Sequence, residues 1–182
     1  MIENEIKAII TKKQLMSYKE ILDKLIGPQK KLQVNYYFDT EDLKLFKNGS
    51  TLRIRQINDN LKIQYKLDKE YVGLKRICKE YESSIQAFPK VLSLDIFEDL
   101  RACQTNYKYI GNLITERLDY FYDETIISLD TSYYLCKTDF EIEIEFEDDK
   151  KAENVLKILS IETLELQKNG KYKRFITEYL KN

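Results

Sequence analysis

Charged side chains recur at every second position in four segments of this sequence. Acidic residues do so in segments 3–5 and 141–145, and basic residues do so in segment 53–55 and, with Gln64 between two lysines, in segment 62–66. Residues i and i+2 of an extended chain point to the same face, so each segment predicts a strand with one face of a single charge. Carboxylates hold hard cations such as Mg²⁺ or Mn²⁺, and Arg and Lys hold phosphate oxygens. Together, the segments indicate a site for a metal-bound polyphosphate.

These charged faces point either to solvent or to a closed interior. A solvated face is the ordinary outcome for one alternating strand of an antiparallel sheet. Here the signs are sorted by strand, whereas solvated faces usually mix them, and like charges at two-residue spacing repel. The predicted helices also carry apolar stripes that need a sheet surface to cover. We therefore predict a barrel with helices packed on its outside and charged residues inside it.

The remaining elements follow from turn and capping signals. Thr11 and Gln14 predict a capping box, and Gly27-Pro28 ends the helix that follows. Further helices are predicted at 39–48, 89–102 and 149–159, whereas the pattern of residues 168–182 is ambiguous. The predicted strands are 2–7, 31–38, 51–57, 61–66, 74–83, 113–122, 125–130 and 139–147. This order predicts a single α+β domain over residues 1–182 with about eight antiparallel strands.

Composition excludes several classes of protein. The chain has 30 Lys and Arg against 31 Asp and Glu, whereas nucleic-acid binders usually have a basic excess. We expect no membrane span, because there is no long apolar run, and no secretory signal. The three cysteines are far apart, which favours a reduced, cytoplasmic protein. Histidine is absent, so any chemistry must use carboxylates, cations, water and hard metals.

A set of motifs in a fixed order resembles the CYTH superfamily, the triphosphate tunnel metalloenzymes. The N-terminal Glu-x-Glu-x-Lys at 3–7 resembles the signature of that family. The other matching segments are Tyr-Phe-Asp-Thr at 37–40, Leu-Arg-Ile-Arg at 52–55, the lysine strand at 61–66, Thr-Glu-Arg at 115–117, Leu-Asp at 129–130, Glu-x-Glu-x-Glu at 141–145 and Lys-Tyr-Lys-Arg at 171–174. Where the family often has a serine before the last motif, this chain has Gly170.

The resemblance implies an eight-stranded antiparallel tunnel, a triphosphate substrate and two divalent ions, Mg²⁺ or Mn²⁺. The metal ligands that it implies are Glu3, Glu5, Asp130, Glu141, Glu143 and Glu145. The phosphate-binding residues that it implies are Lys7, Arg53, Arg55, Lys66, Arg117, Lys171 and Arg174. Lys62 is added to them because it lies on the same face of its strand as Lys66. Glu80, Glu82 and Arg76 match the family more loosely. Tyr36 and Tyr37 are interpreted as packing residues.

The activity that the resemblance implies is metal-dependent hydrolysis of inorganic tripolyphosphate or a nucleoside triphosphate. In the absence of histidine, a carboxylate such as Glu5 or Glu143 would have to orient or deprotonate the attacking water. A class IV-type adenylyl cyclase, a thiamine triphosphatase and a non-catalytic polyphosphate or nucleotide sensor stay open, as does a homodimer. The expected partner is a small-molecule triphosphate. Without metal, we expect the clustered carboxylates to repel one another.

Overall fold

The computed structural model describes the backbone of residues 2–72, 75–100, 105–161 and 169–181, with their side chains except those of residues 2, 3, 68–72, 75 and 76. Its strands are β1 (Ile2–Ile10), β2 (Gln29–Asp39), β3 (Thr51–Ile57), β4 (Asn60–Val72), β5 (Lys75–Ile85), β6 (Val91–Leu92), β7 (Tyr107–Tyr122), β8 (Thr125–Tyr134) and β9 (Lys137–Glu145). Its helices are α1 (Lys12–Leu25), α2 (Lys44–Lys47), α3 (Asp149–Ile158) and α4 (Lys171–Tyr179), with 3₁₀ turns at Leu94–Ile96 and Glu98–Leu100.

The sheet closes into an antiparallel barrel. Its strands are ordered β2-β3-β4-β5-β1-β9-β8-β7-β6, and β2 also pairs with β7 along eleven residue pairs. All strands except the two-residue β6 therefore form one closed ring of eight. Closure removes the open edges of the sheet and turns one face of every strand in the ring towards a common lumen. The predicted eight-stranded barrel is confirmed.

Helices α1 and α3 cover the outside of the barrel, as the apolar stripes predicted. Thr11 forms the capping box with Gln14, and Asp148 caps α3. Leu22 of α1 and Val155 of α3 pack in one core with the outward-facing residues of β1, β7, β8 and β9. A second core covers the outside of β2, β3 and β4 with residues of α2 and of segment 92–107. These two cores cover the outside of the barrel.

Helix α4 differs from the other helices, because it packs against the inward-facing residues at one end of the barrel. Phe175 and Tyr172 form a buried cluster with Tyr37 of β2. Gly111 of β7 makes this approach close: its φ is +148°, and a Cβ added there would lie 2.5 Å from Phe175 Cζ. A glycine is thus required both by the backbone conformation and by the ring that covers it. The ambiguous C-terminal segment therefore closes one end of the lumen.

The predicted helix at 89–102 is wrong over its described part. Residues 91–92 form β6, and 3₁₀ turns follow at 94–96 and 98–100. Leu92, Leu94 and Phe97 are buried against the outside of the barrel, so the apolar spacing serves an irregular covering segment. Strand β7 also begins six residues earlier than predicted, at Tyr107, because it continues past Gly111 to pair with β6.

Two further findings bear on the expectations from composition. No helix within the described ranges has the length and apolarity to span a membrane. Cys78 and Cys136 are free thiols, and Cys103 lies outside the described residues.

Candidate active site

Strand register gathers the predicted acidic residues on one side of the lumen. Glu141 of β9 lies opposite Asp130 of β8, which in turn lies opposite Arg117 of β7. One step along the barrel, Glu143 lies opposite Lys7 of β1. We call the predicted metal ligands among the described inward-facing carboxylates of β1, β8 and β9 the acidic wall, which consists of Glu5, Asp130, Glu141, Glu143 and Glu145.

Glu143 is the centre of the acidic wall. Its Oε1 lies 3.0 Å from Lys7 Nζ and 2.5 Å from Lys171 Nζ. Its Oε2 accepts a hydrogen bond of 2.6 Å from Arg117 Nη2. Three predicted phosphate-binding cations, from β1, β7 and α4, therefore meet at one predicted metal ligand. Lys7 also lies 2.7 Å from Glu5.

The cations of α4 also pair with Asp130 and Glu141. Lys171 Nζ lies 2.8 Å from Asp130 Oδ2 and also pairs with Glu141. Arg174 Nη1 lies 2.7 Å from Glu141 Oε2. Arg117 binds Asp130 in a bidentate arrangement, with bonds of 2.7 and 2.6 Å. Cations from β1, β7 and α4 thus pair with Glu5, Asp130, Glu141 and Glu143 of the acidic wall.

These contacts shift the pKa values of the buried groups. Burial raises the pKa of the Glu143 carboxyl, but the charges of Arg117, Lys171 and Lys7 together hold it well below its usual value. Burial also raises the pKa of Glu141, which ends above its usual value beside the charged Glu143. Burial lowers the pKa of Lys171, but its three carboxylate partners raise it above the ordinary lysine value. The acids do repel one another, as the effect of Glu143 on Glu141 and Asp130 shows, but at Glu143 itself the three cations outweigh this repulsion and the effect of burial.

Arg53 and Arg55 have a different environment. Arg53 Nε donates to Gln64 Oε1 at 2.8 Å, and Arg55 Nε donates to Asn35 Oδ1 at 3.0 Å. Within the described part of the chain, neither guanidinium forms an ion pair with a carboxylate. Burial and the charges of Arg53 and Arg117 lower the pKa of Arg55 to about 9. Guanidinium groups keep their proton in proteins, so Arg55 stays positively charged although it is buried beside two further cations. An anion bound between these cations would therefore be stabilised.

The order of strands puts these two environments across the lumen from each other. In the closed ring, β3 and β9 are four places apart among eight strands, so they face each other. Arg53 and Arg55 lie on β3, and Glu141, Glu143 and Glu145 lie on β9. We call the inward-facing Arg53 and Arg55 the basic wall. A ligand with negative charge and bound cations fits between the two walls.

The other predicted residues lie along β4 and β5. Lys66 Nζ lies 2.7 Å from Glu80, and both side chains are largely buried. Lys62 lies 2.6 Å from Glu82, but this pair is half exposed, which places it towards an open end of the lumen. The predictions for the side chains of Glu3 and Arg76 fall outside the described side chains.

Two groups of carboxylates have the geometry of a cation site. The ligand oxygens of Glu5, Glu143 and Glu145 lie within 4.8 Å of one another, and so do those of Asp130, Glu141 and Glu143. Three convergent oxygen donors suit hard cations such as Mg²⁺ and Mn²⁺, so the residues fit the ions that the sequence implied. Glu143 belongs to both groups.

Several buried polar residues of the lumen were not predicted as site residues. Asn35 and Gln64 hold the two arginines, and Tyr37, interpreted as a packing residue, is fully buried beside them. Asp39 accepts the Tyr172 hydroxyl and so connects β2 to α4. Asn35, Tyr37 and Asp39 alternate along β2, but the aromatic residues between them obscure that pattern in the sequence.

Comparison with known proteins agrees with this architecture. The CYTH domain family profile matches residues 1–176. This chain belongs to the CYTH family. The Bacillus subtilis CYTH relative "Putative triphosphatase YjbK" is 32% identical over 154 residues, which cover 81% of this chain and 78% of that protein.

Solved structures show the same CYTH fold. HpAC1 from Hippeastrum, described as a "putative adenylyl cyclase" with "a dominant triphophatase activity", superposes with a TM-score of 0.77. It is 20% identical and covers 96% of this chain and 95% of its own. The "putative adenylate cyclase (bh2851)" from Bacillus halodurans has a TM-score of 0.68 at 30% identity, with 94% and 95% covered.

Proposed function

We propose that this CYTH chain is a divalent-metal-dependent hydrolase of triphosphates, with inorganic tripolyphosphate or a nucleoside triphosphate as its substrate. The observation that carries the proposal is the pair of opposed walls: carboxylates that converge in two cation-binding groups face arginines that have no carboxylate partner among the described side chains. A triphosphate coordinated by divalent ions is complementary to both walls at once. The names of YjbK and HpAC1 support the same activity.

The chemistry divides between the two walls. Arg53 and Arg55 would bind phosphate oxygens and stabilise the charge on the departing diphosphate. Glu5, Asp130, Glu141, Glu143 and Glu145 would hold the divalent ions, together with Glu3. Bound ions would neutralise the phosphate chain and make a bound water more acidic. Glu5 or Glu143 would orient the attacking water, because the chain has no histidine.

Lys7, Lys66, Arg117, Lys171 and Arg174 complete the proposed phosphate contacts, with Lys62 at the exposed end. Each of these cations has a carboxylate partner in the structure. They can therefore move from a carboxylate to a phosphate oxygen when substrate binds. The divalent ions that would bind with the substrate would then offset the charge of the carboxylates that these cations leave.

Phosphate release from a panel of triphosphates, with Mg²⁺ and with Mn²⁺, tests the proposal. We expect metal-dependent release from tripolyphosphate, slower release from nucleoside triphosphates and no detectable cyclic AMP from ATP. Cyclic AMP as the main product would establish a cyclase and overturn the hydrolase. Tight binding of tripolyphosphate without turnover under either metal would instead establish the sensor.

A further inference from the structure

Two buried donors on β2 have no hydrogen-bond partner among the described residues: Asn35 Nδ2 and the Tyr37 hydroxyl. Both residues have no exposed surface. A polar group buried without a partner costs about 1–3 kcal/mol, so folded proteins rarely keep one without a reason. The described contacts inside the barrel do not explain why these two donors are buried, because none of them provides either donor with an acceptor.

Strand register places these two donors beside the basic wall. Asn35 lies directly opposite Arg55 in the β2–β3 pairing, and Tyr37 lies opposite Arg53. All four side chains share the inward face. Arg55 Nε can only donate, so its 3.0 Å bond fixes Asn35 Oδ1 towards Arg55 and leaves the amide NH₂ directed away from it.

The charged groups that act on the Tyr37 hydroxyl are also donors. Its ionisation is influenced by the charges of Arg53, Lys171, Arg55 and Arg174, and none of these side chains has an acceptor atom. Burial raises the pKa of Tyr37, so the phenol keeps its proton and remains a donor. The ring packs at 4.9 Å from Tyr172 and 5.3 Å from Phe175. A phenylalanine would make these ring contacts equally well, so packing does not account for the hydroxyl.

We propose that Asn35 and Tyr37 are substrate-binding residues that donate hydrogen bonds to the phosphate oxygens held by Arg53 and Arg55. The four side chains form a cradle of donors, which selects an anion whose oxygens only accept, such as a fully ionised phosphoryl group. The proposal rests on the proposed function and extends it, because it adds neutral donors to the cations that the sequence indicates. It also assigns the cradle to the part of the triphosphate that faces away from the acidic wall.

Tyr37→Phe tests the hydroxyl, and Tyr120→Phe is the matched control, since Tyr120 is equally buried but lies outside the lumen and donates to Asp23. We expect Tyr37→Phe to raise the KM for tripolyphosphate about tenfold, measured from initial rates of phosphate release with Mg²⁺. The Kd from titration calorimetry in EDTA should rise by a similar factor. The melting temperature without ligand should stay equal or increase, because an unpartnered hydroxyl is removed. Tyr120→Phe should leave KM and Kd unchanged.

Asn35→Asp tests the amide. The new carboxylate would pair with Arg55 and repel phosphate, so we expect KM and Kd to rise more than in Tyr37→Phe while the chain stays folded. If the wild type hydrolyses tripolyphosphate but both variants keep KM and Kd within twofold of it, this proposal is overturned and the proposed function stands. A wild type that neither binds nor hydrolyses any triphosphate overturns both.

Discussion

The hydroxyl of Tyr172 donates a hydrogen bond of 2.6 Å to Asp39 Oδ2, which joins α4 to the end of β2 across 133 positions of sequence. Asp39 also accepts the backbone N–H groups of Thr40, Leu45 and Phe46, at 2.7, 2.9 and 3.0 Å. One buried carboxylate thus fixes the start of α2 and the position of α4. Because Lys171 and Arg174 lie on α4, this bond also fixes two cations of the site.

Tyr172→Phe should therefore loosen α4 without changing a residue that we assign to substrate or metal. We expect a loss of about 1–2 kcal/mol in the free energy of unfolding, measured with urea, since Asp39 keeps its backbone donors. The KM for tripolyphosphate should rise with it, as the two cations lose their fixed position. Tyr179→Phe, at an exposed tyrosine of the same helix, is the control. Unchanged stability and KM in Tyr172→Phe would show that α4 is positioned by its apolar packing alone.

Glu143→Gln should destabilise the metal-free protein. Glu143 pairs with Lys7, Arg117 and Lys171, so its removal leaves buried cations that have lost a shared partner. Removing one member of a buried ion pair typically costs about 3–5 kcal/mol. Thermal melting of the chelated protein measures the effect. A higher melting temperature in the variant would instead show that repulsion among the carboxylates outweighs the ion pairs that Glu143 forms.

The same pair of proteins makes a prediction about pH. The pKa of Glu143 in the folded chain lies well below its usual value, so its contribution to stability is present above about pH 4.5 and is lost as the pH falls towards the folded value. The difference in melting temperature between wild type and Glu143→Gln should therefore shrink below pH 4.5. Melting curves between pH 3 and about 7 check this. A difference independent of pH would mean that the Glu143 charge does not carry the stabilisation.

Lys171 occupies the centre of one carboxylate group of the acidic wall. Its Nζ lies 2.8 Å from Asp130 and 2.5 Å from Glu143, and it also pairs with Glu141. A cation that binds these carboxylates competes with the ammonium, so Lys171→Met should raise the affinity for Mn²⁺ in the absence of substrate, by about tenfold. Titration calorimetry measures the Kd. We expect the KM for tripolyphosphate to rise in the same variant, because a phosphate contact is lost. A Kd for Mn²⁺ that stays at the wild-type value would place the bound ion outside the reach of Lys171.

Arg53→Ala distinguishes the role of the basic wall in substrate binding from the role of the acidic wall in metal binding. It removes a guanidinium held by Gln64 and leaves the carboxylate groups intact. We expect the KM for tripolyphosphate to rise tenfold or more, about 1.4 kcal/mol, with the Kd for Mn²⁺ unchanged. Lys47→Ala removes an exposed cation of α2 and is the control. Equal KM values for the two variants would mean that Arg53 does not bind substrate.

The charge pattern of each strand could be read from the sequence. The inward faces of Arg53–Arg55 and Glu141–Glu143–Glu145 follow from a period of two, which is a property of the strand itself. The order of the motifs resembled one family strongly enough to predict the barrel, and the capping box of α1 is a local signal. The prediction of a helix at 89–102 was wrong because it also rested on a local pattern. The apolar spacing of this segment fits a helix as well as an irregular covering segment.

The relation between the strands was decided only by the tertiary structure. Closure of the ring through β2 and β7 sets β3 opposite β9. No local pattern in the sequence indicates that these two strands face each other. Register then pairs Asn35 with Arg55 and Tyr37 with Arg53, so that two residues that were not predicted to bind substrate stand beside two that were. The cations that neutralise Glu143 come from positions 7, 117 and 171. Electrostatic energy depends on distance in space, whereas periodicity reports only neighbours along the chain, so the sequence determined which charges face inward and the fold determined which of them meet.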